Sequence, residues 1–314
     1  MELGHLPVLA EEVMLMLAPR PGSLHVDGTV GGGGHTERIL EAASPDGRVL
    51  GLDADPAAIA RVAERLARFG DRLVLRQANF RDLATVAPEA GFPEVDGILL
   101  DLGLSSFQLA DPTRGFSFRS DGPLDMRFDP AVGRPVAELL ADLDADALGD
   151  ILLRYGEEPH ARRIARAVVE ARAKEPVATA AHFASLVERV VPRRPGRAGR
   201  IHPATRSFQA LRIAVNGELD ALEMALSAAV GLLRPGGRLV VLAYHSLEDR
   251  LVKRFVAAER RGCTCPPSFP VCVCGRAPRL RPVGHQPTVP SEAEVAANPR
   301  ARSARLRTAE RLAA

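Results

Sequence analysis

Residues 27–35 read Asp-Gly-Thr-Val-Gly-Gly-Gly-Gly-His, between an apolar run that starts at Leu24 and a helix-like stretch that starts near His35. Four consecutive glycines are costly to order, because each loses more backbone freedom on folding than any other residue; such a run marks a place where something approaches the backbone closely. A glycine-rich link from strand to helix lies at the strand's carboxyl end, the crevice in which open α/β sheets bind cofactors. Asp53 ends the next apolar run, Arg48–Leu52, 22 residues beyond Gly31, where a carboxylate accepts hydrogen bonds from both hydroxyls of a ribose. Loop and acid together describe a nucleotide-type cofactor site. The competing reading is a tight turn followed by a helix-capping aspartate.

The periodicity around this loop supports that setting. Leu24–Asp27, Arg48–Asp53, Leu73–Gln77 and Val95–Asp101 read as strands. The helix from His35 and the helix Pro56–Phe69 fall between them, a βαβ alternation that predicts a parallel sheet. Pro7–Leu17 reads as an amphipathic helix with proline in its first turn. Between Gln108 and about Arg206 no strand is evident, and helices are predicted over Val136–Leu153, Pro159–Lys174 and Thr179–Val190, with Pro192–Gly199 as a flexible basic edge. The sheet resumes after a helix over Asn216–Leu233 and a turn at Pro235–Gly237. A strand Arg238–Tyr244, a helix Ser246–Arg260 and a final edge strand within Ala301–Leu312 follow. The expected architecture is a Rossmann-like α/β sheet built from residues 1–108 and 206–314, interrupted by a helical domain at 109–205.

At 314 residues the chain has room for such an insertion. Its net charge of +2 says nothing about nucleic acid, but only Lys174 and Lys253 are lysines among 41 basic residues. Arginines concentrate in two places: seven in Arg189–Asn216 with no acid, and eight in residues 276–314 against Glu292, Glu294 and Glu310. These are the candidate phosphate-contacting surfaces. No run of 18 apolar residues and no secretory signal pattern occurs, so a cytoplasmic protein with reduced cysteines is expected.

Asp101-Leu-Gly-Leu-Ser-Ser-Phe-Gln108 ends the fourth strand and should face the same crevice as the glycine loop. Enzymes that methylate an exocyclic amine place an acid or amide and an aromatic at such a point, because the amine lone pair is delocalised into the base. An acceptor that binds the N–H favours a pyramidal nitrogen. Asp101, Ser105 and Ser106 are candidate catalytic residues, with Phe107 beside the substrate; a simple turn after a buried strand is the alternative. Arg114, Phe116 and Phe118 lie in an irregular segment that reads as a substrate loop. On a helix, Arg206, Gln209 and Asn216 share a polar stripe able to grip phosphate or a base edge, with Arg212 on the same helix. His245 follows the Arg238–Tyr244 strand and is placed near the substrate, with Ser246 and Asp249 as a capping pair. The cysteines read Cys-Thr-Cys, six residues, Cys-Val-Cys, at positions 263–274. One intervening residue differs from the two usual in zinc ribbons, so no metal is expected and a reduced surface loop is preferred.

Taken together, these segments resemble the ribosomal RNA small subunit methyltransferase H family, also called MraW. The resemblance rests on His5–Leu9, Asp27–His35, Asp53–Pro56, Asn79-Phe80, Asp96–Gly103, Ser105–Gln108, Arg114–Phe118, Asp121–Arg127, Gly156–Glu158, His202–Asn216, His245–Arg250 and Asn298–Ser303. Phe128, Ala110 and Glu138-Leu-Leu140 depart from the family's usual residues. The resemblance implies a class I S-adenosylmethionine-dependent methyltransferase sheet whose helical insertion, 109–205, recognises substrate. It also implies an RNA-binding enzyme that methylates N4 of a cytidine in the decoding region of 16S ribosomal RNA. The small ribosomal subunit would be its partner, with no DNA, membrane or metal, and monomer and homodimer both stay open. Gly33, Gly34 and His35 would contact the methionine end of the cofactor, Asp53 the ribose, and Phe80 the adenine surroundings. Asp101 and Gln108 would lie near the reacting methyl. Two other readings stay in view: a noncatalytic ribosome assembly factor, and a nicotinamide-dependent oxidoreductase.

Overall fold

A computed structural model of the protein describes residues 7–118, 121–191, 202–266 and 269–313. The chain divides into two compact units, one of residues up to Gly103 and from Leu219 onward, the other of Leu104–Glu218.

The first unit opens with α1 (Ala10–Leu17), β1 (Leu24–Asp27), α2 (Gly34–Ala42), β2 (Arg48–Asp53), α3 (Pro56–Arg65), β3 (Leu73–Gln77), α4 (Leu83–Glu89) and β4 (Val95–Asp101). The other unit supplies α5 (Ser106–Ala110), α6 (Val136–Asp142), α7 (Ala145–Gly156), α8 (Ala161–Arg172), α9 (Ala180–Val190) and α10 (Thr205–Asn216). Then come α11 (Glu218–Leu232), β5 (Leu233–Ala243), α12 (Ser246–Arg261), β6 (Leu280–Pro282), α13 (Glu292–Ala297) and β7 (Arg305–Arg311).

Seven strands form one sheet in the order β3-β2-β1-β4-β5-β7-β6. The first five are parallel, with Asp27 opposite Gly51, Asp53 opposite Gln77 and Asp101 opposite Leu242. From β1 the chain runs outward to β3 and returns to β4 on β1's other side, so the topological switch point lies at the carboxyl ends of β1 and β4. Side chains alternate across the pleat. Ile98, Leu100, Leu239 and Val241 enter one core with α4, α11 and α12, while Leu99, Val240 and Leu242 enter another with α1, α2 and Leu306. Because a sheet covered on both faces has no polar face, its strands read as continuous apolar runs, and their charged residues collect at the strand ends.

The helical unit has its own core, in which Phe183, Leu148, Leu152, Ile164, Val168 and Leu211 are buried together. Helix α10 belongs to this unit, since Phe208, Ala210 and Leu211 pack into that core, so the unit runs from Leu104 to Glu218 rather than from 109 to 205. The helix expected over Val136–Leu153 is two helices, because Leu143 turns extended and the Asp144 side chain caps α7 by accepting from the Ala147 N–H. The expected basic edge at Pro192–Gly199 lies outside the described residues. At the other end of the chain, β7 is not an edge strand: it runs antiparallel between β5 and the short β6, which forms the edge. No helix among the described residues is long and apolar enough to cross a membrane.

Candidate active site

Three parallel neighbours, β2, β1 and β4, each end in aspartate, so three carboxylates gather at one end of the sheet. Asp27 is buried; its Oδ2 accepts from Thr36 Oγ1 at 2.6 Å and its Oδ1 from the Thr29 N–H at 3.1 Å. It thereby clamps both ends of the glycine run. Asp53 holds the middle, with Oδ2 accepting from the Gly31 N–H at 2.8 Å and Oδ1 from the Asp55 N–H at 2.9 Å. Asp53 is not the helix cap that the competing reading required. Asp55 caps α3, accepting from the Ala57 N–H at 3.0 Å.

The loop then enters α2 through Gly33, whose φ of 78° belongs to the left-handed region. A Cβ there would also stand 3.2 Å from Val62, and one on Gly34 would stand 3.2 Å from Pro7. Part of the glycine requirement is therefore internal to the fold.

Asp101 closes β4. Its backbone N–H donates to Thr29 Oγ1 at 2.6 Å, Tyr244 Oη donates to its Oδ1 at 2.7 Å, and His35 Nε2 lies 3.6 Å from its Oδ2. Burial pushes Asp101 up to about 7, with the charges of Asp27 and Glu248 adding to the effect and the Tyr244 hydroxyl opposing it. Burial likewise raises Asp53 to about 6 against the lowering effect of its two N–H partners, and raises Asp27. Crowded, desolvated carboxylates favour protonation or a cationic partner. This end of the sheet thus suits a ligand that carries positive charge and vicinal hydroxyls. Phe80 stands at the same end, beyond β3, where its Cβ lies 3.4 Å from the position of a Cβ on Gly28.

Tyr244 and Thr36 are site residues that the sequence reading did not single out. Tyr244 immediately follows β5, the neighbour of β4, so strand order is the signal that finds it. His245 and the pair Ser246 and Asp249 differ from expectation. His245 is itself the cap of α12, in a reciprocal box with Glu248, and its Nε2 lies 3.0 Å from Glu248 Oε1. Asp249 instead binds Arg307 at 2.7 Å and Arg305 at 3.1 Å.

In the helical unit, Ser105 caps α5: its Oγ accepts from the Gln108 N–H at 3.1 Å, and Gln108 Oε1 accepts from the Ser105 N–H at 3.0 Å. Ser106 opens the helix, and Phe107 is exposed. Phe116 is buried and stacked on Phe128 in the unit's own core rather than facing a substrate from a loop. Phe118 stacks on His202 with ring centres 4.0 Å apart. Arg114 donates to the carbonyls of Arg127 and Phe128 at 3.0 and 2.8 Å.

The polar stripe on α10 is mostly spent inside the unit. Gln209 donates to Tyr155 O at 3.0 Å, Asn216 bonds Met126 O and the Phe128 N–H at 2.8 Å each, and Arg212 makes a two-pronged pair with buried Glu218 at 2.8 Å. Arg206 donates to Glu157 O at 3.1 Å and is the exposed member. The basic C-terminal segment is engaged in the same way. Arg276 and Arg279 face Glu259, Arg281 faces Glu310, and Arg305 and Arg307 face Asp249.

Comparison with known proteins adds a family to this geometry. The model of the MraW methylase family matches residues 2–312. Among the similar proteins, one named ribosomal RNA small subunit methyltransferase H from Thermomicrobium roseum is 56% identical over 309 residues, covering 98% of this chain and 94% of the relative. Proteins of the same name from Trichlorobacter lovleyi and Geobacter sulfurreducens are each 51% identical, with 99% of this chain covered and 99% and 100% of the relatives.

Proposed function

Because the chain belongs to the MraW methylase family, we propose that it methylates the N4 amino group of a cytidine in the decoding region of small-subunit ribosomal RNA, using S-adenosylmethionine. The observation that carries this reading is the family match over nearly the whole chain, which includes the loop and all three strand-end aspartates. The site fits the cofactor. Each Asp53 oxygen accepts one N–H and keeps lone pairs for a ribose hydroxyl, and the acidic strand ends complement a cation. Gly33, Gly34 and His35 border the methionine end and Phe80 the adenine end. When bound, S-adenosylmethionine supplies a methyl group already activated by its sulfonium.

Asp101 is the residue for the amine. Its ionised carboxylate accepts an N–H of the exocyclic amino group and draws the nitrogen lone pair out of conjugation, while the Tyr244 hydroxyl fixes its orientation. The helical unit recognises RNA through its exposed Phe107 and Arg206, with Arg114 seven residues beyond Phe107. A stacked cytidine has to be splayed out, at a cost of a few kcal/mol that stacking and phosphate contacts offset.

The test is incubation of the protein with labelled S-adenosylmethionine and small subunits from cells lacking this enzyme, followed by mapping of the label by mass spectrometry. N4-methylcytidine in the decoding region is expected. Unlabelled RNA, with cofactor binding confirmed, would leave a noncatalytic assembly factor; binding of a nicotinamide cofactor in place of S-adenosylmethionine would leave an oxidoreductase.

A further inference from the structure

Beyond α12, the Sγ atoms of Cys263, Cys265, Cys272 and Cys274 all lie within 4.8 Å of one another. Cys272 is 3.4 Å from Cys263, 3.5 Å from Cys274 and 3.9 Å from Cys265, and Cys263 is 3.8 Å from Cys274. Zinc–thiolate bonds of about 2.3 Å put the edge of a regular four-sulfur tetrahedron at about 3.8 Å. The observed separations bracket that edge. A disulfide requires one pair at about 2.05 Å, and none of these pairs approaches it.

The two Cys-X-Cys arms also serve each other. The N–H of Thr264, inside the first arm, points at Cys274 Sγ of the second at 3.4 Å, and the N–H of Val273, inside the second, points at Cys265 Sγ of the first at 3.4 Å. Amide donors aimed at sulfur favour thiolate over thiol, as donors around metal ligands do. The single intervening residue that argued against a zinc ribbon does not keep the four sulfurs from converging.

The loop needs such a cross-link. Among its described residues no hydrophobic side chain is buried, and Phe269, Val271 and Val273 are 51%, 70% and 73% exposed. Its base is anchored, where Glu259 holds Arg279 at 2.6 and 2.7 Å and Gly262, at φ 67°, passes so close to Ala277 that a Cβ would stand 2.4 Å from its carbonyl carbon.

We propose that Cys263, Cys265, Cys272 and Cys274 bind one structural zinc ion. Binding exchanges the metal for the thiol protons, with no change of oxidation state, and fills all four positions, which leaves none for catalysis. The site stands independently of the methylation reading.

Untagged protein purified under reductant and without chelator is expected to carry about one zinc per chain by elemental analysis. Replacing the zinc with cobalt(II) is expected to produce the visible bands of tetrahedral cobalt thiolate. The double variant Cys263→Ser/Cys272→Ser should lose both signals, and chelation should expose the segment 263–278 to protease while the sheet stays folded. Absence of zinc and of cobalt bands in reduced, metal-supplemented protein overturns the proposal. So does full zinc content in the double variant, or thiol titration that finds the cysteines paired as disulfides.

Discussion

At the scale of single residues, the site is a set of acids held where acids are least comfortable. Asp101 is held up to about 7 by burial, with Asp27 and Glu248 adding to the effect. Its native value lies above that of a solvated carboxylate, so its contribution to stability is full below about pH 4 and is lost as pH rises through about 7. Asp53, raised to about 6, acts in the same direction. The unfolding free energy of the unliganded protein is therefore expected to fall between about pH 4 and 7. Asp101→Asn, which keeps an oxygen for the Tyr244 hydroxyl, should remove part of that fall and stabilise the protein at pH 8 by about 1–3 kcal/mol. Urea titrations of both proteins across this range decide the point: parallel pH profiles would show that Asp101 is not the group responsible.

At the scale of elements, α12 is tied to β7 by charge. Burial pushes Asp249 up, but Arg307 and Arg305 on β7 more than compensate and leave it below the usual carboxylate value. Its stabilisation is present at neutral pH and is lost as pH falls through that depressed value. Asp249→Ala strands Arg307, whose side chain is only 11% exposed, and is expected to cost about 3 kcal/mol in chemical denaturation. A loss below about 1 kcal/mol would mean that the pair is merely a surface contact.

Elements also mark what sequence alone makes legible. The bounds of β1 to β4 are legible in the sequence because strands buried on both faces appear as short apolar runs between turn residues. Asp53 and Asp101 could be placed because both end such runs. Tyr244 lies 143 positions from its partner Asp101 and becomes a neighbour only through strand order, which periodicity does not encode. Likewise, no local signal distinguishes Gln209, Arg212 and Asn216 facing the interior of their own unit from the same residues facing a ligand.

At the scale of the whole molecule, the neighbours β4 and β5 are separated in sequence by the entire helical unit. The entropy of bringing two such strands together grows with the length of free chain between them, and non-local pairing is slow for that reason. The intervening helices pack on one another, α7 against both α8 and α10 and α8 against α9, so they can collapse without waiting for the sheet. Folding is thus expected to be hierarchical in time, with the insertion, once compact, shortening the free chain between β4 and β5. Pulse-labelled hydrogen exchange during refolding should find α7 and α8 amides protected before those of β4 and β5. Simultaneous protection would show instead that the two units fold as one cooperative event.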